Sequence, residues 1–523
     1  MNVRPTILLA TDRVLAAVVV ALVLGSAVCF GGAVWWFRPA VAVLCFLLAG
    51  IKLAQLLYQG RMPFLKSPLT LLGLLALALG ILQLVPLPPP LARRLSPVAQ
   101  QIYSYGVITR LAQTDLPAAG LGEPAFARSP ATLDRAATLR WLVGAAVCLG
   151  IFWSVSHFAD RLGRLYLVWG SVVAAFLLQA ALALVQITGG AEGLYGFLRA
   201  GQAPPWAPSL DDLLETPSTM VMRPLEHSSP VTRSAPALQP MAVVAEQPFW
   251  FGTMVGSAGA FLAFGSLALP LALAIVLQLI SPRGSREGLT SRMSHTGQGG
   301  LVLLLMIMLV VSAFLVGLMA GPRFCLPFIL GLAVAALPGA AGSRWLSIGL
   351  LALLVASLGL GAILVAAWPN VVGGPPPVAP VSWESTRLLW KESVSILREF
   401  PIVGTGFGSF GTIHPYMKTR DAASTTAMSS LLQCGVESGA IGLLLLSLAG
   451  LWCVCRLPVC LKRVGSADRT LAYGLIGAAV GFSLWFVVQW TVELPAVAIS
   501  ASALGGTWNR WLAGGTDLFV ERG

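Results

Sequence analysis

Apolar runs long enough to cross a bilayer recur along the whole chain, and they restrict its fold more than any other feature. They lie at about 14–37, 39–57, 67–87, 136–156, 163–186, 250–280, 300–319, 324–338, 345–367, 439–457, 471–490 and 494–512. A helix needs roughly 20 such residues to traverse about 30 Å of hydrocarbon. Backbone groups in hydrocarbon must find their partners within the segment, so these runs read as helices. With 57% hydrophobic and 10% charged residues and a mean hydropathy of +0.82, an ordinary soluble domain is excluded. The expectation is an all-α, polytopic membrane protein with about twelve transmembrane helices and an extracytoplasmic helical loop domain. The first run follows Arg13 in the charge order of a signal peptide, but Pro39 leads straight into another apolar run. It is read as a retained helix.

Charge gives the chain a predicted orientation. With a cytoplasmic N-terminus, the short inner loops hold Arg61, Lys66, Arg161, Arg164, Arg283, Arg286, Arg292, Arg344, Arg456, Lys462, Arg463 and Arg469, against only Asp160, Glu287 and Asp468. The short outer connections hold Arg38 and Arg323. This asymmetry predicts both termini in the cytoplasm. Because the loops account for most of the net charge of +12, a pI near 9.7 carries no implication of nucleic acid.

Three longer segments then fall on the outer side, at about 88–135, 187–249 and 368–438. The second is rich in Pro, Ser and Ala and is expected to have little regular structure, except near Leu210 to Leu214. The chain divides into residues 1–367 with nine predicted spans, the external loop 368–438, and residues 439–523 with three more spans.

The external loop contains the most charged stretch of the C-terminal half. Read as a helix from Trp383, it sets Glu384, Arg387, Lys391, Ser395 and Arg398 on one face and Leu389, Ile396, Leu397 and Phe400 on the other. Ser382 is the expected N-cap, and Pro401 ends the run. Arg323, in M-A-G-P-R-F at an outer helix end, is a functional candidate unless it merely snorkels. With Arg387 and Lys391 it would suit an anionic ligand, since guanidinium groups match phosphate oxygens. The run G-T-G-F-G-S-F-G (404–411) lacks the strand and helix of a dinucleotide site and reads as a tight turn that re-aims the chain toward the membrane. His157, His227, His295 and His414 have no metal-ligand spacing, and Cys453, Cys455 and Cys460 lack acidic or histidine neighbours. No metal site is expected.

Taken together, L-Q-L-V-P-L-P-P-P-L-A-R-R-L-S-P (82–97), L-V-Q-I-T-G-G-A-E-G-L-Y-G (184–196), G-S-A-G-A-F-L-A-F-G-S-L-A-L-P-L-A-L (256–273), G-P-R-F (321–324), R-L-L-W-K-E-S-V-S-I-L-R-E-F-P-I-V-G-T-G-F-G-S-F (387–410) and L-L-Q-C-G-V-E-S-G-A-I-G (431–442) resemble the O-antigen ligase and O-antigen polymerase family of bacterial inner-membrane proteins. The resemblance covers most of the chain and rests on the order and spacing of these pieces. It implies transfer of a glycan from an undecaprenyl-diphosphate-linked donor to a glycan or lipid acceptor at the outer face of the inner membrane. The implied transfer is inverting and needs no metal or other cofactor. Arg323 and Arg387 fall at the family's diphosphate-binding arginines, with Lys391 beside them.

One position departs from the family. Its A-H-N-x-x-L-Q motif supplies a histidine thought to activate the acceptor hydroxyl, and here Met428 occupies that position. A thioether cannot take up that proton. Either Glu437 or His414 serves as the base, or turnover is impaired and the pocket binds without reacting. A non-catalytic partner in envelope polysaccharide synthesis, or a transporter of polysaccharide or lipid, are the alternatives.

Overall fold

A computed structural model describes residues 3–28, 37–60, 67–103, 129–189, 193–194, 198–199, 258–280, 298–338, 344–372, 383–417, 426–465, 468–489 and 495–513. These are helical apart from turns and one antiparallel ladder of two short strands, β1 (Gly193–Leu194) and β2 (Leu198–Arg199). The helices are α1 (Val3–Val28), α2 (Phe37–Tyr58), α3 (Leu69–Leu84), α4 (Pro89–Leu95), α5 (Arg135–Phe158), α6 (Leu162–Gly189), α7 (Ala258–Ile280), α8 (Gln298–Ala320), α9 (Leu326–Ala336), α10 (Arg344–Val372), α11 (Trp383–Glu399), α12 (Phe410–Met417), α13 (Ser430–Leu461), α14 (Arg469–Val488) and α15 (Pro495–Leu512).

Each of the twelve predicted apolar runs is occupied by a helix. Among the described residues nine of them, α1, α2, α5, α6, α7, α8, α10, α13 and α14, are long and apolar enough to cross a membrane. The chain is a multi-pass helical membrane protein. The other three fall short for different reasons. Helices α3 and α9 have 16 and 11 residues, and α15 gives up its last turn to Asn509 and Arg510.

Helix α7 is the hub of the bundle, buried along nearly its whole length and packed by α6, α8, α9, α14 and α15. Between apolar helices in an apolar solvent, close backbone approach rather than hydrophobic burial drives association. The α9–α14 pair shows this. A Cβ on Gly331 would stand 2.9 Å from the Gly477 carbonyl oxygen, so only glycine lets the two backbones meet there. Across the same pair Phe328 packs on Trp485, with ring centroids 5.4 Å apart.

A smaller apolar layer lies over one end of the bundle. Ile396 and Phe400 of α11, Phe410 and Ile413 of α12, and Val436 of α13 form its core. A second satellite joins Leu79 of α3, Leu87, Ala131, Val403 and Phe407. These two clusters fasten the charged helix and the glycine turn to the bundle.

Candidate functional site at a broken helix

Helix α13 is two helices. At Gly439 the backbone turns to φ 62°, ψ −159°, so residues 430–438 and 440–461 form separate segments. A break of this kind releases carbonyls on one side and N–H groups on the other, and in an apolar setting each needs a partner. The glycine turn supplies them. Thr405 N–H donates to Val436 O (2.9 Å) and Gly406 N–H to Glu437 O (3.0 Å), while Ala440 N–H donates to Pro401 O (2.8 Å) and Ile441 N–H to Ile402 O (3.3 Å). The run P-I-V-G-T-G thus serves both sides of the break. Gly404, Gly406 and Gly408 all have φ above +70°, and a Cβ on Gly439 would press within 2.7 Å of Gly404 N. The turn is tight, as its glycines suggested, and its partner is a helix interruption.

Two side chains lock this arrangement. The Glu437 carboxylate, 2% exposed, accepts Gly408 N–H at Oε2 (2.9 Å) and both Phe410 N–H (3.4 Å) and Gln433 Nε2–H (2.9 Å) at Oε1. Both oxygens are therefore turned into the glycine turn. Gln83, at the end of α3, is fully buried and reaches across from the other half of the chain. Its Nε2 donates to Val403 O and Glu437 O (2.8 Å each), and its Oε1 accepts Phe407 N–H (3.1 Å). Phe407 in turn stacks face to face on Trp141 of α5 at 3.6 Å.

A polar rim continues from the turn to the start of α5. Asp134 caps α5 by accepting Ala137 N–H (2.8 Å), and its other oxygen accepts the Thr412 hydroxyl of α12 (2.7 Å). Leu133 N–H donates to Thr405 O (2.9 Å). The Tyr103 hydroxyl donates to Thr132 O (2.6 Å), and burial pushes the phenol's pKa above its ordinary value.

The predicted cationic face is present on α11. Glu384, Arg387, Lys391, Ser395 and Arg398 are all exposed, while Ile396 and Phe400 are buried. The buried face is less apolar than its pattern suggested. It carries Thr386, Glu392 and Ser393, and Glu392 pairs with His414 of α12 (Oε2 to Nε2, 2.8 Å). His414 is fully buried and stacks on Phe410. Ser382, the expected cap, lies outside the described residues, as do His227, His295 and the stretch Leu210 to Leu214.

Met428 sits directly before α13 in a strained turn. It is the one non-glycine residue with positive φ (49°) among the described residues. Such a conformation costs of order 1–3 kcal/mol and persists only where neighbours enforce it. Here Trp390 of α11 donates its indole N–H to Met428 O (3.1 Å), Ser429 Oγ donates to Val487 O (2.6 Å) and accepts Leu432 N–H (3.3 Å), and Ser430 N–H donates to Gln489 O (3.2 Å). Trp390 lies between Arg387 and Lys391 in sequence, so the cationic helix is pinned to the turn that holds Met428.

Arg323 lies in a single 3-10 turn, Pro322–Phe324, between α8 and α9. Its backbone alone is described. The following Phe324 packs edge-on against Trp485 of α14, ring centroids 6.4 Å apart. Helix α14 therefore bears both the Arg323 turn, through Trp485, and the Met428 turn, through Val487 and Gln489.

The structure brings Arg387, Lys391 and Met428 to one edge, sets Glu437 into the helix break, and buries His414 against Glu392. Sequence reasoning missed Gln83, Asp134, Glu392 and Gln433. Of these only Gln83 carried a signal, a lone amide inside an apolar run. Compared with known proteins, the chain matches no family model and is similar to no curated relative.

Proposed function

We propose that this protein binds a lipid-diphosphate-linked glycan beside α11 at the outer face of a bacterial inner membrane and transfers the glycan to an acceptor. The observation that carries the reading is the exposed pair Arg387 and Lys391, held by Trp390 next to the strained Met428 turn. Cations fixed on a packed helix neutralise the charge that develops on a diphosphate leaving group without reorganising during the reaction. Arg323 is the third cation of this reading, and the resemblance to O-antigen ligases and polymerases supports the choice of donor.

A second reading, binding without turnover, is favoured by what the two acid–base candidates are doing. Both Glu437 oxygens hold backbone and amide N–H groups, and His414 is buried against Glu392. Each group is thus engaged in a contact that holds the fold together. The broken helix also resembles the interrupted helices of transporters, although those come in pairs and only α13 is broken in this way among the described residues.

The test gives purified protein a lipid-diphosphate glycan and candidate acceptors, and follows released lipid diphosphate. Transfer predicts release that Arg387→Ala suppresses, with donor binding weakened about 10- to 100-fold, the loss of one charge-assisted hydrogen bond. Binding unaffected by Arg387→Ala sinks the proposed site. Met428→His separates the two readings, because histidine tolerates positive φ better than methionine. A gain of release in that variant supports transfer with a lost base; tight binding without release in both forms supports the non-catalytic reading. Movement of intact lipid between liposome leaflets instead marks a transporter.

A further inference from the structure

Helix α14 ends at the candidate site, and its final turn carries two separate attachments. Val487 O and Gln489 O are carbonyls that a helix C-terminus leaves without partners of its own. The Met428 turn supplies them. Ser429 Oγ–H donates to Val487 O (2.6 Å), and Ser430 donates both its N–H (3.2 Å) and its Oγ–H (2.9 Å) to Gln489 O. Gln489 N–H still donates to Trp485 O (2.8 Å), so the helical register runs from one residue to the other. Trp485 is fully buried, and Phe324, the residue after Arg323, packs edge-on against it. Trp485 and Gln489 are four positions apart, about 6 Å along the axis at the rise of an α-helix. The Arg323 turn and the Met428 turn are thus mounted one helical turn apart on the same rigid element.

Helix α11 joins this mount through Trp390. Its half-buried indole donates N–H to Met428 O (3.1 Å). Arg387 stands three residues before Trp390, where side chains of a helix are neighbours, and Lys391 directly follows it. The carbonyl that receives the indole belongs to the residue with a φ of 49°, a conformation that surrounding contacts must enforce. Met428 is therefore the joint between the two helices. It is bonded to α11 at its own carbonyl and to α14 through the two serines that follow. The hydrogen bond from Trp390 sets where the Arg387 and Lys391 stretch of α11 lies relative to α14, and hence to the Arg323 turn.

We propose that Trp390 is a positioning residue which, by fixing the spacing between the α11 cations and the Arg323 turn, makes the site select a diphosphate over a monophosphate. The proposal rests on the donor-binding reading above and adds to it the element that gauges the ligand's length. A diphosphate carries two linked anionic groups and offers one to each cationic element. A monophosphate has a single group and engages one element at a time. Guanidinium groups hold phosphate oxygens through directional N–H bonds, so a shift of α11 costs the bridging ligand more than the single one. Trp390 acts through the Met428 carbonyl, to which its N–H is already given, and not by touching a phosphoryl group.

The experiment measures the binding of polyprenyl diphosphate and polyprenyl monophosphate, matched in chain length, to the full-length protein in detergent micelles. The wild-type protein should prefer the diphosphate. Trp390→Phe keeps an aromatic ring and removes the N–H, and should lower that preference about fivefold, the worth of one neutral hydrogen bond. Phe324→Leu loosens the other mount and should lower it as well, so the test stands even where Trp390→Phe does not fold. Arg387→Ala removes a cation instead of moving one and should weaken both ligands. A preference that survives in whichever of the Trp390 and Phe324 variants folds overturns the proposal. So does a loss shared equally by the two ligands in Trp390→Phe, which marks a role in stability alone. Equal binding of both lipids by the wild-type protein overturns it too, while leaving an anion site in place. Binding of neither lipid removes the donor-binding reading and this proposal together.

Discussion

Glu437→Gln tests whether the buried carboxylate organises the helix break or serves as a base. In the wild-type protein its two oxygens receive three N–H groups at 2.9, 3.4 and 2.9 Å. An amide keeps one oxygen and puts an NH2 at the other position. With the oxygen retained at Oε1, the new NH2 faces Gly408 N–H, donor against donor. The opposite orientation aims it at both Phe410 N–H and Gln433. Gln433 cannot flip to compensate, because its Oε1 already accepts Ala427 N–H at 3.0 Å. The loss is one hydrogen bond to a charged acceptor plus an N–H left facing a donor, set against the desolvation of a buried charge that the amide relieves. The net expectation is a destabilisation of about 2 kcal/mol, measured by reversible unfolding in mixed micelles, with Glu437→Asp as a control that keeps the charge but shortens the reach. A general base gives the opposite signature. Stability would stay within about 0.5 kcal/mol while turnover fell at least about 100-fold. That outcome would refute the structural role assigned to this carboxylate.

Three further perturbations address the same region. Gly439→Ala should cost more than about 3 kcal/mol in the same unfolding assay, because alanine must adopt a backbone conformation nearly exclusive to glycine and its Cβ meets Ile402 and Gly404. An unchanged midpoint would mean that the break is not a fixed feature. Gln83→Leu removes three hydrogen bonds and leaves Val403 O and Phe407 N–H to find others, so a loss of about 3 kcal/mol and faster proteolysis at 401–410 are expected. Met428→Asn should gain about 1 kcal/mol, since asparagine tolerates the left-handed region and the Trp390 hydrogen bond is to the backbone at 428. A stability loss there would show that the methionine side chain, and not its backbone, holds the turn.

What the sequence made legible follows from periodicity and solvent preference. The stripe from Glu384 to Arg398 is exposed and Ile396 and Phe400 are buried because a 3.6-residue repeat leaves a helix one way to lie on an apolar surface. The apolar runs are helical because hydrocarbon permits little else. Periodicity is silent about polar residues on the buried side. Glu392 and His414 lie 22 positions apart and become a pair only when α11 and α12 pack. The break at Gly439 falls where the apolar run was drawn to begin, but that helix continues on its other side, through 430–438, was not legible, because the glycine turn that makes the interruption stable lies some 35 residues earlier. Met428 gave no backbone signal at all, methionine being a poor resident of positive φ. Apolarity was legible at α3, α9 and α15, whereas their helix lengths and the polar last turn of α15 were not.

Gln83 sets a schedule for the synthesis of this protein. Its partners Val403 and Glu437 lie 320 and 354 residues further along the chain. When α3 leaves the ribosome, the side chain that will close the helix break has nothing to close, and a buried amide without partners costs several kcal/mol. The nascent third helix must therefore keep Gln83 at the aqueous boundary until nearly the whole protein has been made. The 16-residue length of α3, too short to bury both of its ends, permits that wait. Assembly of the site then becomes a late checkpoint. A chain truncated before residue 437 should insert its early helices and still leave Gln83 open to water-soluble reagents placed there by cysteine exchange.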